Sequence, residues 1–135
     1  MTVEDCMTPN VVTLSPDIQV PEAIRILLQH NITAAPVIDE KGALVGILSE
    51  TDCLEGTLNG SYFSQDAGLV REYMTTDVIS ASPRDDIITV YQRFMADKSF
   101  RVPVVSEDGQ LLGILSPKDL MSAVLEFYER PVESA

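Results

Sequence analysis

The chain has 135 residues, 45% of them hydrophobic, and its 9 basic and 21 acidic side chains give a formal net charge of −12. That length suits one domain or two small halves sharing a core, and the acidity argues against a nucleic-acid polymer or an anionic membrane as partner. The apolar runs are a few residues long, far short of a membrane span, and the acidic start Met1-Thr2-Val3-Glu4-Asp5 does not read as a signal peptide, so a cytoplasmic protein is expected.

In chain order, Val11-Val12-Thr13-Leu14 is a β-branched run stopped by Ser15-Pro16-Asp17, which predicts a strand and a turn. Val20, Ala23, Ile24, Leu27 and Leu28 then recur at helical spacing and predict one apolar helical face. Pro21 is tolerable in the first turn, where its missing N–H is not needed, and the helix should end near His30-Asn31. Pro36-Val37-Ile38 and Leu44-Val45-Gly46-Ile47-Leu48 flank Asp39-Glu40-Lys41-Gly42 and predict an antiparallel hairpin. A second helix is expected to start at Ser49.

The pattern then repeats. A shift of 67 residues aligns 7–54 with 74–121 without a gap, giving 15 identities in 48 positions where chance gives about three. Met7-Thr8 meets Met74-Thr75, Ser15-Pro16 meets Ser82-Pro83, Gly46 meets Gly113 and Asp52 meets Asp119. The second helical face reads Ile87, Val90, Tyr91, Phe94 and Met95. The expected fold is therefore α+β, tandem β-α-β-β-α repeats packed as a pseudo-twofold pair with a cleft between the copies. The expected boundaries are 1–60 for the first repeat, 61–69 for a linker in which Tyr62 and Phe63 pack, 70–129 for the second repeat and 130–135 for a tail.

Ser49-Glu50-Thr51-Asp52 and Ser116-Pro117-Lys118-Asp119 are both Ser-x-x-Asp at a helix start, an Asp-bearing form of the capping box. The serine hydroxyl would accept an amide of the first turn, and the aspartate would reach back to the serine amide. Capping alone accounts for all four residues and needs no ligand.

These residues resemble the cystathionine-β-synthase (CBS) domain pair, or Bateman module. The likeness covers about residues 3–128 and rests on Met7-Thr8-Pro9 (Thr76 stands in place of proline in the second copy), Ser-Pro, the Ala-Pro-Val and Val-Pro-Val hairpin entries, Gly-x-Leu-x-Gly-Ile-Leu-Ser and the closing Asp. The resemblance implies a stand-alone regulatory module for adenosine-containing nucleotides such as AMP, ADP or ATP, with up to two sites in the cleft. It further implies homodimerisation and signalling to an effector protein. The other reading is a structural dimerisation or interaction module that binds no ligand.

In the family the matching aspartate accepts the two ribose hydroxyls, and hydroxyl or basic neighbours meet phosphate. Carried over, one site joins Ile114, Ser116, Lys118 and Asp119 with Thr8, Pro9, Ile32, Thr33 and Arg101. The other joins Ile47, Ser49, Thr51 and Asp52 with Thr75, Thr76, Ser99 and Phe100. Thr51 stands where Lys118 stands and Ala34 where Arg101 stands, so the Asp119 site is expected to be the stronger for phosphate. An enzyme is not expected: there is no Gly-rich phosphate loop, and the single histidine excludes a multi-histidine metal site. His30 reads as a solvated helix-end residue, while Cys6 and Cys53, far apart, read as structural reduced thiols. No cofactor is expected.

Overall fold

The computed structural model describes residues 1–58, 68–98 and 101–131. The expected packing of Tyr62 and Phe63, and the site residues Ser99 and Phe100, lie outside them. The elements in order are α1 (Val3–Cys6), β1 (Thr8–Pro9), α2 (Val20–Gln29), β2 (Ala34–Ile38), β3 (Leu44–Ser49) and α3 (Glu50–Leu58). They continue with α4 (Val70–Tyr73), α5 (Ile87–Asp97), β4 (Val102–Val105), β5 (Leu111–Leu115) and α6 (Pro117–Glu129). The α+β class and the two repeats are as the sequence implies.

The chain forms two compact units that are not its two consecutive halves. The first-repeat unit comprises Val11–Val78 with Asp108–Leu111, and the second-repeat unit comprises Met1–Asn10, Ile79–Glu107 and the chain from Leu112 onward.

In the first-repeat unit β2 and β3 form the expected antiparallel hairpin, with Ala34 opposite Ser49 and Pro36 opposite Ile47. Gly42 turns it at φ +85°, a left-handed conformation that glycine adopts without cost. Leu14, Val20, Ala23, Leu27, Val37 and Leu48 form a buried core with Val70 of α4. The predicted strand Val11–Leu14 does not form. Only Leu14 bridges, in parallel to Val37, its N–H donating to Pro36 O at 2.9 Å while Ile38 N–H donates to the Leu14 carbonyl at 3.0 Å. A β-branched run shows a preference for extended backbone, but a ladder also needs a partner of matching length.

In the second-repeat unit β4 and β5 pair, and β1 adds to the outer side of β5. Its core is Val3, Ala81, Val90, Phe94, Val102, Val104 and Leu115. Helix α5 starts at Asp86, whose carboxylate accepts the Ile88 amide at 2.9 Å. Helices α2 and α5 are followed at twin positions by residues in the left-handed region, Asn31 and Lys98, both at φ 52°.

The apolar helix faces are wider than the surface that covers them. Val20, Ala23 and Leu27 are buried, yet Leu28 is 75% exposed; Val90 and Phe94 are buried, yet Tyr91 and Met95 are exposed. The exposed side chains lie at the margin of each face, beyond the reach of their own unit's core.

Each unit takes in the leading segment of the other repeat. Val3 N–H donates to Asp85 O at 2.8 Å and Glu4 N–H to Pro83 O at 2.9 Å. Sixty-seven positions on, Val70 N–H donates to Ile18 O at 2.9 Å and Arg71 N–H to Pro16 O at 3.0 Å. Val3 and Val70 are both fully buried. The duplication thus extends through α1 and α4, which the sequence reading did not identify as helices.

Candidate functional site

Two related constellations stand at the N-termini of α3 and α6. At α3, Asp52 Oδ2 accepts the Ser49 amide at 2.8 Å and the Ser49 hydroxyl at 2.9 Å, while the Asp52 amide donates to Ser49 Oγ at 3.3 Å. The Thr51 hydroxyl lies 3.0 Å from Ser49 Oγ. Glu50 N–H donates to Thr33 O at 2.9 Å, which brings the loop carrying Ile32 and Thr33 to the Asp52 helix start. Thr75 exchanges backbone hydrogen bonds with Ile47 at 2.8 and 2.9 Å, and Thr76 follows it, exposed. Among the described residues the second carboxylate oxygen, Asp52 Oδ1, accepts no hydrogen bond.

At α6, Asp119 Oδ2 accepts the Ser116 amide at 2.8 Å and the Ser116 hydroxyl at 3.0 Å. Here the other oxygen is taken: the Thr8 hydroxyl donates to Asp119 Oδ1 at 2.7 Å across 111 positions of chain. Thr8 lies opposite Ile114 and Pro9 opposite Gly113 in the β1–β5 pairing. Pro117 sits in the first turn of α6, where no amide is needed. Lys118 is exposed and, among the described residues, makes no ion pair; Arg101 belongs to the same unit and is also exposed.

The structure thus gathers Thr8, Pro9, Ile114, Ser116, Lys118 and Asp119 in the second-repeat unit, with Arg101 in that unit. It gathers Ile47, Ser49, Thr51, Asp52 and Thr75 in the first-repeat unit, with Thr76, Ile32 and Thr33. The capping geometry read from Ser-x-x-Asp is present at both helices, with an addition: each serine hydroxyl also donates to its aspartate.

Sequence reasoning noted Gly46 and Gly113 as repeat identities without seeing their purpose. A Cβ on Gly46 would stand 2.8 Å from Thr75 O, and one on Gly113 would stand 2.6 Å from Thr8 O. Both glycines let the exchanged Met-Thr segment pass against the strand. The signal available was their common distance of three residues before each Ser-x-x-Asp.

Burial raises the Cys53 thiol above its ordinary value, with a smaller push from Asp52. Burial also raises Cys6, helped by Asp5, Asp119 and Glu126 and opposed by the chain's amino terminus. Both thiols are held protonated. Among the described residues no cluster could hold a metal ion, and no helix is long and apolar enough to cross a membrane.

Two further features lie away from the helix caps. A cavity of about 700 Å³ in the first-repeat unit is bordered by Leu14, Val45, Met74, Lys41 and the Arg71–Asp17 ion pair. An open apolar groove of about 630 Å³ runs between α5 and α6, bordered by Tyr91, Met95, Met121, Val124, Leu125 and Tyr128.

Comparison with known proteins adds relatives to this geometry. The family model for the CBS domain matches residues 3–58 and 70–126. The CBS domain-containing protein YhcV of Bacillus subtilis is 33% identical over 119 residues, covering 88% of this chain and 82% of that protein. The structure of CBSX2 in complex with AMP superposes with a TM-score of 0.84 at 29% identity, covering 95% of this chain and 98% of that one; CBSX2 is a CBS-pair protein from Arabidopsis thaliana. The CBS domain pair of protein MJ0100, in complex with 5′-methylthioadenosine and S-adenosyl-L-methionine, gives 0.77 at 29% identity, covering 96% and 98%. Other relatives are longer: the chain spans 41% of the uncharacterized Methanocaldococcus jannaschii protein MJ1225 and 22% of that organism's inosine-5′-monophosphate dehydrogenase.

Proposed function

The chain belongs to the CBS domain family, and we propose that it is a regulatory module that binds adenosine-containing ligands at Asp52 and Asp119 and signals to a partner protein. The observation that carries this reading is the duplicated carboxylate at a helix start, capped through one oxygen and set beside an exposed threonine of the exchanged segment. A ribose presents two O–H donors side by side, and an ionised carboxylate is acceptor-only with about four lone-pair positions. The likeness to CBS pairs in complex with AMP, 5′-methylthioadenosine and S-adenosyl-L-methionine supports the ligand class.

The two sites divide by charge. Lys118 and Arg101 stand in the Asp119 unit, where Thr51 and Ala34 are their twins in the other. Phosphate therefore favours the Asp119 site, with Ser116, Pro9 and Ile114 around it, because charge-assisted hydrogen bonds are worth roughly 1.5–3 kcal/mol. Asp52, with Ser49, Thr51, Ile47, Thr75 and Thr76, suits adenosyl compounds without phosphate.

The α5–α6 groove is the surface through which two copies pair. Met121 at 66% exposure and Tyr128 at 77% are a large apolar liability on a lone chain. A thermal-shift panel of AMP, ADP, ATP, NAD and S-adenosylmethionine tests the ligand reading: a ligand at 100 times its dissociation constant adds about 2.7 kcal/mol of stability. One observation favours a second reading, a dimerisation module without ligand, since Asp119 has both oxygens engaged internally. No shift with any compound, together with a dimer in solution, would establish that reading instead.

A further inference from the structure

We propose that the Thr8 hydroxyl competes with a ligand's sugar diol for Oδ1 of Asp119, making Thr8 the residue that sets how strongly this site prefers a ribose over a deoxyribose. The inference rests on the adenosyl-ligand reading above and goes beyond it, by assigning Thr8 a role opposed to that of a ligand contact.

The argument is a count of acceptor positions. A carboxylate offers about four, two on each oxygen. At Asp119, the Ser116 amide and hydroxyl fill both positions on Oδ2, and the Thr8 hydroxyl takes one on Oδ1 at 2.7 Å. One position remains, enough for a single sugar hydroxyl. At Asp52, Ser49 fills Oδ2 in the same way, but Oδ1 accepts nothing among the described residues, so both its positions can take a vicinal diol.

The backbone does not impose this difference. Thr75 pairs with Ile47 as Thr8 pairs with Ile114, and the two threonines and two aspartates are twins at the same 67-residue offset. Only the Thr8 hydroxyl reaches its aspartate. Thr8 is exposed, so when displaced it turns to water at little loss. A diol gains at Asp119 only by exchanging one hydrogen bond for another, whereas a 2′-deoxy sugar uses the remaining position without displacing Thr8.

The test uses the full chain carrying Asp52→Asn, so that titration calorimetry reads the Asp119 site. AMP and 2′-deoxy-AMP are expected to bind this protein within a factor of about three of each other. Adding Thr8→Val, which keeps the β-branched shape, is expected to tighten AMP about tenfold, as loss of a competing charged hydrogen bond implies, and to leave 2′-deoxy-AMP unchanged. Thr8→Ser keeps the hydroxyl and should return AMP to its starting affinity.

Weaker or unchanged AMP binding with Thr8→Val would overturn the proposal, as would an equal shift for both nucleotides. Loss of AMP binding through Asp52→Asn alone would do the same, by putting the ligand at Asp52. If the unaltered chain binds none of the adenosyl compounds, the ligand reading itself falls and the exchange falls with it. A ligand-free check stands apart from both: in a thermal-unfolding cycle, Thr8→Val and Asp119→Asn together should cost less than their sum. Additive costs would remove the contact on which the competition depends.

Discussion

Gly113→Ala is the most informative single change, because it presses directly on the segment that carries Thr8. An added Cβ would meet Thr8 O at 2.6 Å, Met7 Sδ at 3.0 Å and Met7 Cγ at 3.3 Å. The methionine can swing aside; a backbone carbonyl held in a strand pair cannot. Restoring ordinary contact requires β1 to retreat by about 0.8 Å, enough to stretch the 2.7 Å bond from Thr8 to Asp119 beyond useful length. Overpacking of this kind costs about 1–3 kcal/mol, and the exposed hydrogen bond adds about 1 more. A loss of roughly 3 kcal/mol in a chain of this size lowers the melting temperature by on the order of 10 °C. Gly109→Ala is the control: its Cβ meets nothing within 4 Å, so only strain at φ +83° is felt, about 1 kcal/mol. Melting curves followed by far-UV circular dichroism should rank Gly113→Ala well below Gly109→Ala. A Gly113→Ala protein melting within about 2 °C of the unaltered chain would refute the close approach of β1 to β5.

Val3→Ala and Val70→Ala should each cost about 2 kcal/mol, and hydrogen exchange should accelerate in β4 and α5 for the first but in β2 and β3 for the second; the reverse pattern would refute the exchanged arrangement. Asp86→Ala removes the acceptor of the Ile88 amide and should destabilise by about 1 kcal/mol in urea unfolding, whereas Gln19→Ala at the twin position, where no side chain caps the helix, should leave stability unchanged. The Cys53 thiol is raised above its ordinary 9.0, chiefly by burial and then by Asp52, so the stability it contributes is fully present below pH 9.0 and lost as pH rises through the higher folded value. Stability measured upward from pH 8 should therefore fall less in Cys53→Ala than in the unaltered chain. On the pairing proposed for the α5–α6 groove, the unaltered chain should scatter light as a dimer, and Val124→Glu on the exposed rim should scatter as a monomer; equal masses for both would refute that pairing.

The fold was legible wherever a residue's role is local. The Gly42 turn, the hairpins, Pro21 and Pro117 in first turns and the Ser-x-x-Asp caps each declare themselves within a few residues, and each is present. What escaped needs distant partners. Helices α1 and α4 have four residues, too few for a period, and only the shared Val3 and Val70 mark them as twins. Val11–Leu14 has strand composition, but composition does not supply a pairing edge. The contact between Thr8 and Asp119 spans most of the chain and has no local signature. Leu28, Tyr91 and Met95 fit the apolar period yet lie exposed, because periodicity identifies a face and not how much of it is covered.

The duplication supplies its own controls. Backbone bonds recur at twin positions with nearly equal lengths: Val3 to Asp85 at 2.8 Å against Val70 to Ile18 at 2.9 Å, and Glu4 to Pro83 at 2.9 Å against Arg71 to Pro16 at 3.0 Å. The caps recur too, with both serine amides 2.8 Å from their aspartates. The side chains around those caps differ: Lys118 against Thr51, Arg101 against Ala34, and a Thr8 hydroxyl that reaches its carboxylate against a Thr75 hydroxyl that does not. Paired substitutions at twin positions therefore separate folding from recognition. Asp52→Asn and Asp119→Asn disturb the same cap, so equal losses of stability with unequal losses of AMP affinity would trace the inequality to the side chains around each carboxylate.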